Sequence, residues 1–396
     1  MTQRIVELLA PAGNLEKLKV TVSYGCDAVY LGGEKFGLRS AADNFINSEL
    51  AEGVKFAHDR SVKVYVVLNS FLYDRDLKEL PEFLIFLEKV RVDAVIISDL
   101  GVLKTVKELT NIPIHLSTQA SCLNVEAGKL WKKMGVKRLI LGREVSIAEA
   151  SKIKKATGLE IELFIHGSLC MAYSGNCVIS NYTMGRDSNR GGCAHNCRFE
   201  YSLDFKDKKE NSFFMSSKDL MGIAQVPEFF SHGIDSVKVE GRMKTHLYVG
   251  TITKAYKRAI SHYEKNASLS PAMIAELEGE LRKVSHRDYT EGNLTKRADE
   301  YSIFDKREHL DVDYMFVGQV VETKMGEHIL MEVRNPFFQN DQLELLPFSE
   351  KEKTFKAFPL ENILGEVVEK AHPGMLVKLP YVEGVENLNL IRGRSL

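Results

Sequence analysis

The chain has 396 residues, with 53 basic and 54 acidic side chains and a formal net charge of −1. Hydrophobic residues make up 44% and charged residues 27%, which is typical of a soluble globular protein. The near-neutral balance excludes overall charge as a source of polyanion binding, so any nucleic-acid contact must come from local patches. No apolar run reaches the ~18 residues that span a bilayer, and the first residues lack an export signal. We therefore expect a cytoplasmic protein with no membrane partner.

Eight short apolar, β-branched runs lie between residues 4 and 241, and most are separated by stretches with helical periodicity. Such runs are typical of strands that are buried on both faces of a parallel sheet. Eight βαβ units favour a (β/α)8 TIM-like barrel, with a doubly wound open sheet as the alternative. The runs are 4–10, 27–33, 62–69, 93–98, 112–118, 137–142, 160–167 and 235–241.

Polar side chains stand at nearly every predicted strand end, where barrels of this type carry their active sites. We expect Glu7, His166 and Glu240 to transfer protons, since their surroundings would shift their pKa values toward neutrality. A structural, hydrogen-bonded role is the alternative for His166. Arg143 and Arg242 are expected to hold a carboxylate by bidentate pairing. The other expected substrate-binding residues are Arg39, Gln119 and Lys244.

Four of the six cysteines fall in one polar insertion, residues 168–216, that follows the seventh strand. In a reducing compartment, clustered thiols indicate metal binding or catalysis rather than disulfides. Four thiolates can hold either a zinc ion or a cubane iron–sulfur cluster. The spacing lacks the paired C-x2-C knuckles of zinc sites, which favours iron–sulfur, and the C-x3-C-x2-C pattern of radical-SAM enzymes fails because Glu200 stands at its third position. The four residues are Cys170, Cys177, Cys193 and Cys197.

The pattern changes beyond the last predicted barrel strand. Residues 1–290 form the predicted catalytic domain, and residues 291–312 lose periodicity and are predicted to be a linker. Residues 313–396 show short alternating runs separated by Gly, Asn and Pro, which indicates a small C-terminal β-barrel domain or sandwich. Modules of this kind often bind RNA, but this one lacks a dense basic or aromatic stripe.

Several segments together resemble a known family. They are ELLAPAGNLEKLKV, IHLSTQAS, ELFIHGSLCMAYSGNC with SNRGGCAHNCR, SVKVEGRMK, and the tail segment FVGQVVE. Over nearly its whole length the chain is similar to the family historically called collagenase-like peptidases, peptidase family U32. The resemblance implies a barrel with an oxygen-sensitive [4Fe–4S] cluster held by four cysteines. Cys170, Cys177 and Cys193 match the family's ligand pattern, and Cys197 is taken as the fourth ligand.

Within this family, SSKDL, KVEGRMK and the full-length tail look most like the branch that hydroxylates tRNA. The resemblance implies that wobble uridine becomes 5-hydroxyuridine without molecular oxygen, with prephenate as co-substrate. Three alternatives stay open: a peptidase, an iron–sulfur subunit that supports oxygen-independent ubiquinone hydroxylation, and a scaffold that positions a catalytic partner. Because some members work as pairs of homologous subunits, a paralogous subunit or a homo-oligomer is also expected.

Overall fold

Eight parallel strands close into a barrel in the computed structural model, which describes residues 6–38, 43–205, 208–299 and 313–394. Each barrel strand pairs with the next along the chain, and the eighth pairs back to the first. The predicted (β/α)8 TIM-like barrel is therefore confirmed. Its strands are β1 (Glu7–Pro11), β2 (Ala28–Leu31), β3 (Lys63–Leu68), β4 (Ala94–Ile97), β5 (Ile114–Leu116), β6 (Arg138–Ile140), β7 (Glu160–Ser168) and β11 (Ser236–Val239).

Helices connect most of the strands, and local sequence signals fix their ends. At the start of α7, the Ser146 hydroxyl accepts the Glu149 N–H at 3.3 Å, while the Glu149 carboxylate accepts the Ser146 N–H at 3.0 Å. The helix ends at Gly158, whose φ of 69° favours glycine. The helices are α1 (Leu15–Ser23), α2 (Asn47–His58), α3 (Asp74–Leu77), α4 (Leu80–Lys89), α5 (Leu100–Leu109), α6 (Val125–Lys133), α7 (Ile147–Thr157), α8 (Ile179–Met184), α9 (Val226–His232), α10 (His246–Asn266) and α11 (Pro271–Leu281).

The cysteine-bearing insertion follows β7, as predicted. It contains α8, three short 3-10 turns, and an antiparallel hairpin of β8 (Tyr201–Phe205) and β9 (Lys208–Ser212). After the insertion, β10 (Asp219–Met221) runs antiparallel to the end of β7 and pairs in turn with β12 (Tyr289–Thr290). The insertion thus starts at the end of β7 and is followed by a strand that pairs with β7. It lies over one end of the barrel.

Residues 291–299 pack against the barrel, although the sequence placed them in a linker. The Ile147 N–H donates to the Leu294 carbonyl at 3.0 Å, and Leu294 belongs to the barrel core. The Asn293 side chain donates to the Arg143 carbonyl at 2.9 Å. The predicted linker therefore begins too early, because these residues complete a wall of the barrel domain. The rest of that predicted linker, from residue 300 to residue 312, lies outside the described residues.

The C-terminal domain is all-β, as predicted. Its strands are β13 (Tyr314–Lys324), β14 (His328–Val333), β15 (Phe337–Phe338), β16 (Gln342–Leu346), β17 (Lys353–Lys356), β18 (Glu361–Asn362), β19 (Lys370–Ala371), β20 (Leu376–Pro380) and β21 (Leu390–Arg394). Seven form one antiparallel sheet in the order β17-β16-β21-β13-β14-β20-β18, and β15 pairs with β19. Within the described residues the sheet ends at β17 and β18, so its closure into a barrel stays a prediction.

Buried polar contacts join the two domains. The hydroxyl of Tyr24, the residue that follows α1, donates to the Leu346 carbonyl at 2.7 Å and accepts the Leu390 N–H at 3.0 Å. Arg392, fully buried, pairs with Glu280 of α11 at 2.6 Å. Leu346 and Leu390 also pack in the same apolar core as the barrel. The C-terminal domain therefore packs against the outer helices of the barrel.

Candidate active site at the barrel mouth

A cavity of about 190 Å³ lies at the carboxyl ends of the barrel strands. Apolar and aromatic side chains of the strands, such as Tyr30, Val67 and Phe164, form part of its wall. The inserted segment forms the opposite wall and contributes all four of its cysteines. The insertion and the strand ends therefore meet at one space, as the sequence predicted.

The four clustered cysteines are free thiols that are partly accessible or exposed, whereas Cys26 and Cys122 are buried in the core. Side-chain hydrogen bonds shape the loop that carries the four. Asn189 accepts the Cys177 N–H at 3.3 Å and donates to the Cys177 carbonyl at 3.0 Å. The Ser180 hydroxyl accepts the Ala194 N–H at 3.0 Å, which fixes the backbone beside Cys193. Polar residues of the insertion thus hold the thiols at the cavity wall.

The electrostatic environment of these thiols is mixed. Burial raises the pKa of the Cys170 thiol, and the Ala172 N–H and the charge of Arg143 partly offset this effect. Burial likewise raises the pKa of Cys197, against the attraction of Arg198. Negative charge on Cys177 and Cys193 raises the pKa of both thiols further. A cationic centre bound between them would stabilise the thiolate forms.

The four thiols suit a metal centre in donor type and in placement on one cavity. Among the described residues, however, no group of three or more His, Cys, Asp or Glu side chains has the arrangement of a site for a metal ion. A single zinc ion needs its ligands to converge on one point. The four thiols share a cavity without meeting that condition.

Two arginines expected at the site line this cavity. The Arg143 guanidinium stacks on the Phe164 ring, with its central carbon 3.7 Å from the ring centre. Arg242 is buried and donates to the Asn44 side-chain oxygen at 2.7 Å. It fits because residue 32 is glycine: a Cβ on Gly32 would come within 2.7 Å of an Arg242 nitrogen. Both guanidinium groups are thus held by neighbours on the cavity wall.

Glu240 and Gln119 also line the cavity, as expected. Glu240 accepts the Ser168 N–H at 3.3 Å. This contact requires glycine at position 167, where φ is 104° and a Cβ would lie 2.6 Å from the Glu240 carbonyl oxygen. The Gln119 side-chain oxygen accepts from Asn69 at 3.1 Å. A carboxylate and an amide therefore face the same space as the arginines.

Glu7 lies at the opposite end of the barrel, so its predicted position at the mouth is wrong. It is the first residue of β1 and accepts from Arg138 at 2.5 Å, Ser236 at 3.0 Å and Tyr65 at 2.8 Å. Burial would raise the pKa of Glu7. Attraction to Arg138, together with the hydrogen bonds from Arg138 and Tyr65, outweighs burial and lowers this pKa. Its surroundings thus shift its pKa away from neutrality, in contrast to the prediction.

His166 does not line the cavity, contrary to the position expected of it. Its ring is 1% exposed, and its Nδ1 lies 3.2 Å from the Tyr256 hydroxyl of α10. The rings of Tyr248 and Tyr289 pack around it. Burial lowers the pKa of His166 to about 3, so the expected shift toward neutrality is wrong. The contacts fit the structural alternative.

Lys244 likewise lies outside the cavity lining, so its expected place at the substrate pocket is wrong. Its ammonium donates to the Ser285 carbonyl at 3.2 Å and lies 5.1 Å from the Tyr248 ring centre. Burial lowers its pKa, and attraction to Asp219 and Glu240 partly offsets this. Arg39, the remaining expected ligand of the substrate, lies outside the described residues.

Lys238 and Arg198 line the cavity, although neither was among the predicted site residues. The Lys238 ammonium donates to Glu162 at 2.9 Å and lies 4.2 Å from the Tyr30 ring centre. The signal for it was available, because a lysine in an apolar run of a buried strand needs an inward-facing acid on a neighbour. Asn69 directly follows β3 and also lines the cavity, as its position at a predicted strand end indicates.

Residues 13–303 match the family model of peptidase family U32, and residues 312–392 match that of its C-terminal domain. The chain belongs to peptidase family U32. The resemblance drawn from the cysteine block and its flanking segments is thereby confirmed. The U32 barrel and the U32 C-terminal domain together account for most of the chain.

Relatives of this chain include proteins named for tRNA hydroxylation and a protein named collagenase. "tRNA hydroxylation protein P1" of Bacillus subtilis (strain 168) is 36% identical over 404 residues, covering 98% of this chain and 94% of the relative. "tRNA hydroxylation protein P" of Escherichia coli (strain K12) is 32% identical, covering 96% and 94%. "Collagenase" of Porphyromonas gingivalis (strain ATCC BAA-308 / W83) is 31% identical, covering 72% of each chain. The relatives named for tRNA hydroxylation thus match more of this chain.

The helices of the described residues include none that combines the length and the apolar character needed to cross a bilayer.

Proposed function

We propose that this protein hydroxylates tRNA, converting the wobble uridine to 5-hydroxyuridine without molecular oxygen. The observation that carries the proposal is the single cavity onto which four cysteines, two expected arginines and the Glu240 carboxylate all face. The relatives named for tRNA hydroxylation, which match nearly the whole chain, support it. The uridine would leave the anticodon stack to enter the cavity, as is usual when an enzyme acts on a base.

The cofactor we propose is a [4Fe–4S] cluster with Cys170, Cys177, Cys193 and Cys197 as ligands. All four thiols line one cavity, and a cubane cluster would take one of these thiolates at each iron. Arg143 and Arg198, which lie near two of the thiols, would offset the negative charge of the thiolates. When bound, the cluster would supply redox or Lewis-acid chemistry at the barrel mouth.

The residues of the chain bind and orient the other reactants. Replacing the C5 hydrogen of uracil by a hydroxyl is a two-electron oxidation. Without molecular oxygen, we propose that one co-substrate is both oxygen donor and oxidant: it gives up a hydroxyl oxygen to C5 and is itself left reduced by the same two electrons. We propose prephenate for this role, with its carboxylates held by Arg143 and Arg242 through bidentate pairs. We assign proton transfer to Glu240 and binding of a polar edge of the base to the Gln119 amide, since both residues line the cavity.

Mass spectrometry of tRNA nucleosides tests the proposal in a deletion strain that has no redundant paralogue. We expect 5-hydroxyuridine derivatives to disappear, and to return with the wild-type gene but not with Cys193→Ala. The matched control is Cys26→Ala, a cysteine that is buried in the core away from the cavity. It should restore the modification fully. Normal nucleoside levels in the deletion strain would refute the function.

The cofactor has its own test. Protein purified without oxygen should contain iron and sulfide in equal amounts, about four of each per chain. Cys193→Ala should lose both, while Cys26→Ala keeps them. Zinc in place of iron in the wild-type protein would contradict the cluster.

A peptidase is the second candidate, favoured by the relative named collagenase. It predicts cleavage of peptides that survives removal of iron, together with unaltered tRNA in the deletion strain.

Protein purified without oxygen also tests the expected paralogous subunit or homo-oligomer. Its mass in solution gives the number of chains and their identity.

A further inference from the structure

A second cavity of about 460 Å³ adjoins the cysteine cavity. The two share part of a wall, formed by Arg143, Leu169, Cys170 and Met171. A ligand that extends from one cavity to the other would pass directly beside Arg143 and Cys170. We call this second space the outer cavity.

Cations from two distant parts of the chain line the outer cavity. Arg143 follows β6, while Lys296 and Arg297 come from the segment beyond β12 and are exposed. This segment is held in place by the Asn293 bond to the Arg143 carbonyl at 2.9 Å. Asn293 also accepts the Ala298 N–H at 2.8 Å. The backbone that carries the two exposed cations is therefore fixed on both sides of them.

The two acidic residues of the outer cavity are engaged with backbone donors. Glu149 accepts the Ser146 N–H at 3.0 Å and the Ser146 hydroxyl at 2.9 Å at the start of α7. Glu144 accepts the Ser174 N–H at 2.6 Å. Arg297 lies close enough to Glu149 to lower the pKa of that carboxyl, after the larger effects of the Ser146 hydrogen bonds. The acids thus serve local structure, and the cations give the outer cavity its attraction for anions.

Tyr173 adds an aromatic surface to the outer cavity. It lies three positions after Cys170, on the 3-10 turn Tyr173–Gly175, and its side chain is 63% exposed. An exposed aromatic ring beside cations is the combination that proteins use for single-stranded nucleic acid, where rings stack on bases and cations contact phosphates. A small carboxylate would need the cations alone.

We propose that the outer cavity binds the nucleotide next to the modified uridine, with Tyr173 stacked on its base and Lys296 and Arg297 on its phosphate. This inference rests on the proposed function, since it takes the ligand to be the loop of an RNA hairpin. It also explains why the segment with Lys296 and Arg297, which follows β12, lines the same cavity as Cys170. One continuous strand of RNA would occupy both cavities.

Binding of a short RNA hairpin that carries the anticodon loop, measured over a range of KCl concentrations, tests the inference. The double variant Lys296→Ala, Arg297→Ala should bind on the order of tenfold more weakly, with a salt slope lower by about one. Tyr173→Ala should also weaken binding on the order of tenfold, whereas Tyr173→Phe keeps the stacking ring and should bind as the wild type does.

The matched control is the double variant Lys133→Ala, Lys137→Ala, which removes two exposed lysines near the amino end of β6. It should leave both affinity and salt slope unchanged. Equal binding by wild type and the Lys296, Arg297 variant would overturn the inference while leaving the proposed function intact. If the Lys296, Arg297 variant binds RNA as the wild type does but has a raised KM for the small co-substrate, the outer cavity binds a carboxylate instead. Wild-type protein that binds no RNA would refute this inference and the proposed function together.

Discussion

The two ends of the barrel contain similar charged residues in opposite arrangements. At the amino end, Glu7, Arg138, Glu162 and Lys238 form a buried network in which each group contacts an opposite charge within 3.2 Å. At the carboxyl end, Arg143 and Glu240 face a cavity, and no salt bridge of the described residues includes either. Charges that neutralise one another serve the fold, whereas charges beside a cavity are available to a ligand.

Burial affects the charged groups at the two ends differently. Desolvation penalises the charged forms of Glu7 and Arg138, and their mutual attraction, with the hydrogen bonds to Glu7, outweighs that penalty. At the carboxyl end, the groups are partly accessible and can exchange water for a ligand. Substitutions at the amino end should therefore change stability, and those at the mouth should change activity.

Arg138→Met should give the largest effect, on stability. It would leave Glu7 and Glu162 buried with part of their compensation lost, since Arg138 contacts both. We expect the free energy of unfolding to fall by about 3–5 kcal/mol in urea titrations. The matched substitution at the mouth is Arg143→Met, which should cost less than about 1 kcal/mol because Met keeps the apolar contact with Phe164. Equal losses for the two variants would contradict the division between the ends.

Glu240→Gln should give the largest effect on activity. The amide keeps an acceptor for the Ser168 N–H but cannot take up a proton at neutral pH. We expect formation of 5-hydroxyuridine to slow by about 100-fold or more with little change in stability. Glu7→Gln is the counterpart at the amino end and should lower stability while the folded enzyme keeps its rate. If Glu7→Gln slows the formation of 5-hydroxyuridine and Glu240→Gln does not, Glu7 rather than Glu240 would take part in the reaction.

The fold could be predicted because each buried parallel strand is a continuous apolar run, as in the run 62–69 that contains β3. The convergence of the four cysteines could also be predicted, since the insertion leaves the carboxyl end of a strand. The position of Glu7 could not. The predicted run 4–10 has Glu7 at its middle, but the strand begins at Glu7, so this residue lies at the amino end of the barrel rather than near the mouth.

Sequence patterns could not predict two further features, the orientation of His166 and the residues that form the outer cavity. Simple alternation would place His166 on the inward face with Glu162 and Phe164, but the pairing of β7 with β11 shifts register between Lys238 and Val239. No local residue signals this irregularity. The outer cavity joins Arg143 to cations some 150 residues later in the chain, because Asn293 bonds to the Arg143 carbonyl. Such tertiary contacts carry no periodic signature.

His166 represents a third environment, buried behind the cavity wall, and predicts a pH effect on stability. Its folded pKa of about 3 lies below the ordinary histidine value of about 6.5, so the unfolded chain binds the proton first. Stability should fall as the pH drops through this window, by up to about 1.4 kcal/mol per pH unit from this residue. The measurement is urea unfolding between pH 6 and pH 4, with His166→Gln as reference. Identical pH slopes for the two proteins would show that this ring does not titrate as its burial predicts.

Lys238→Met changes a residue that belongs to both ends of the barrel. Its ammonium pairs with Glu162 of the network, and its side chain lines the cavity. Glu162 would keep its contact with Arg138 at 3.2 Å, so we expect a loss of only about 1–2 kcal/mol in the free energy of unfolding. If Lys238 serves the network alone, the rate of hydroxylation in the folded variant should stay at the wild-type value. A rate loss larger than the stability loss, expressed in the same units, would instead assign its ammonium to the cavity and extend the site below the strand ends.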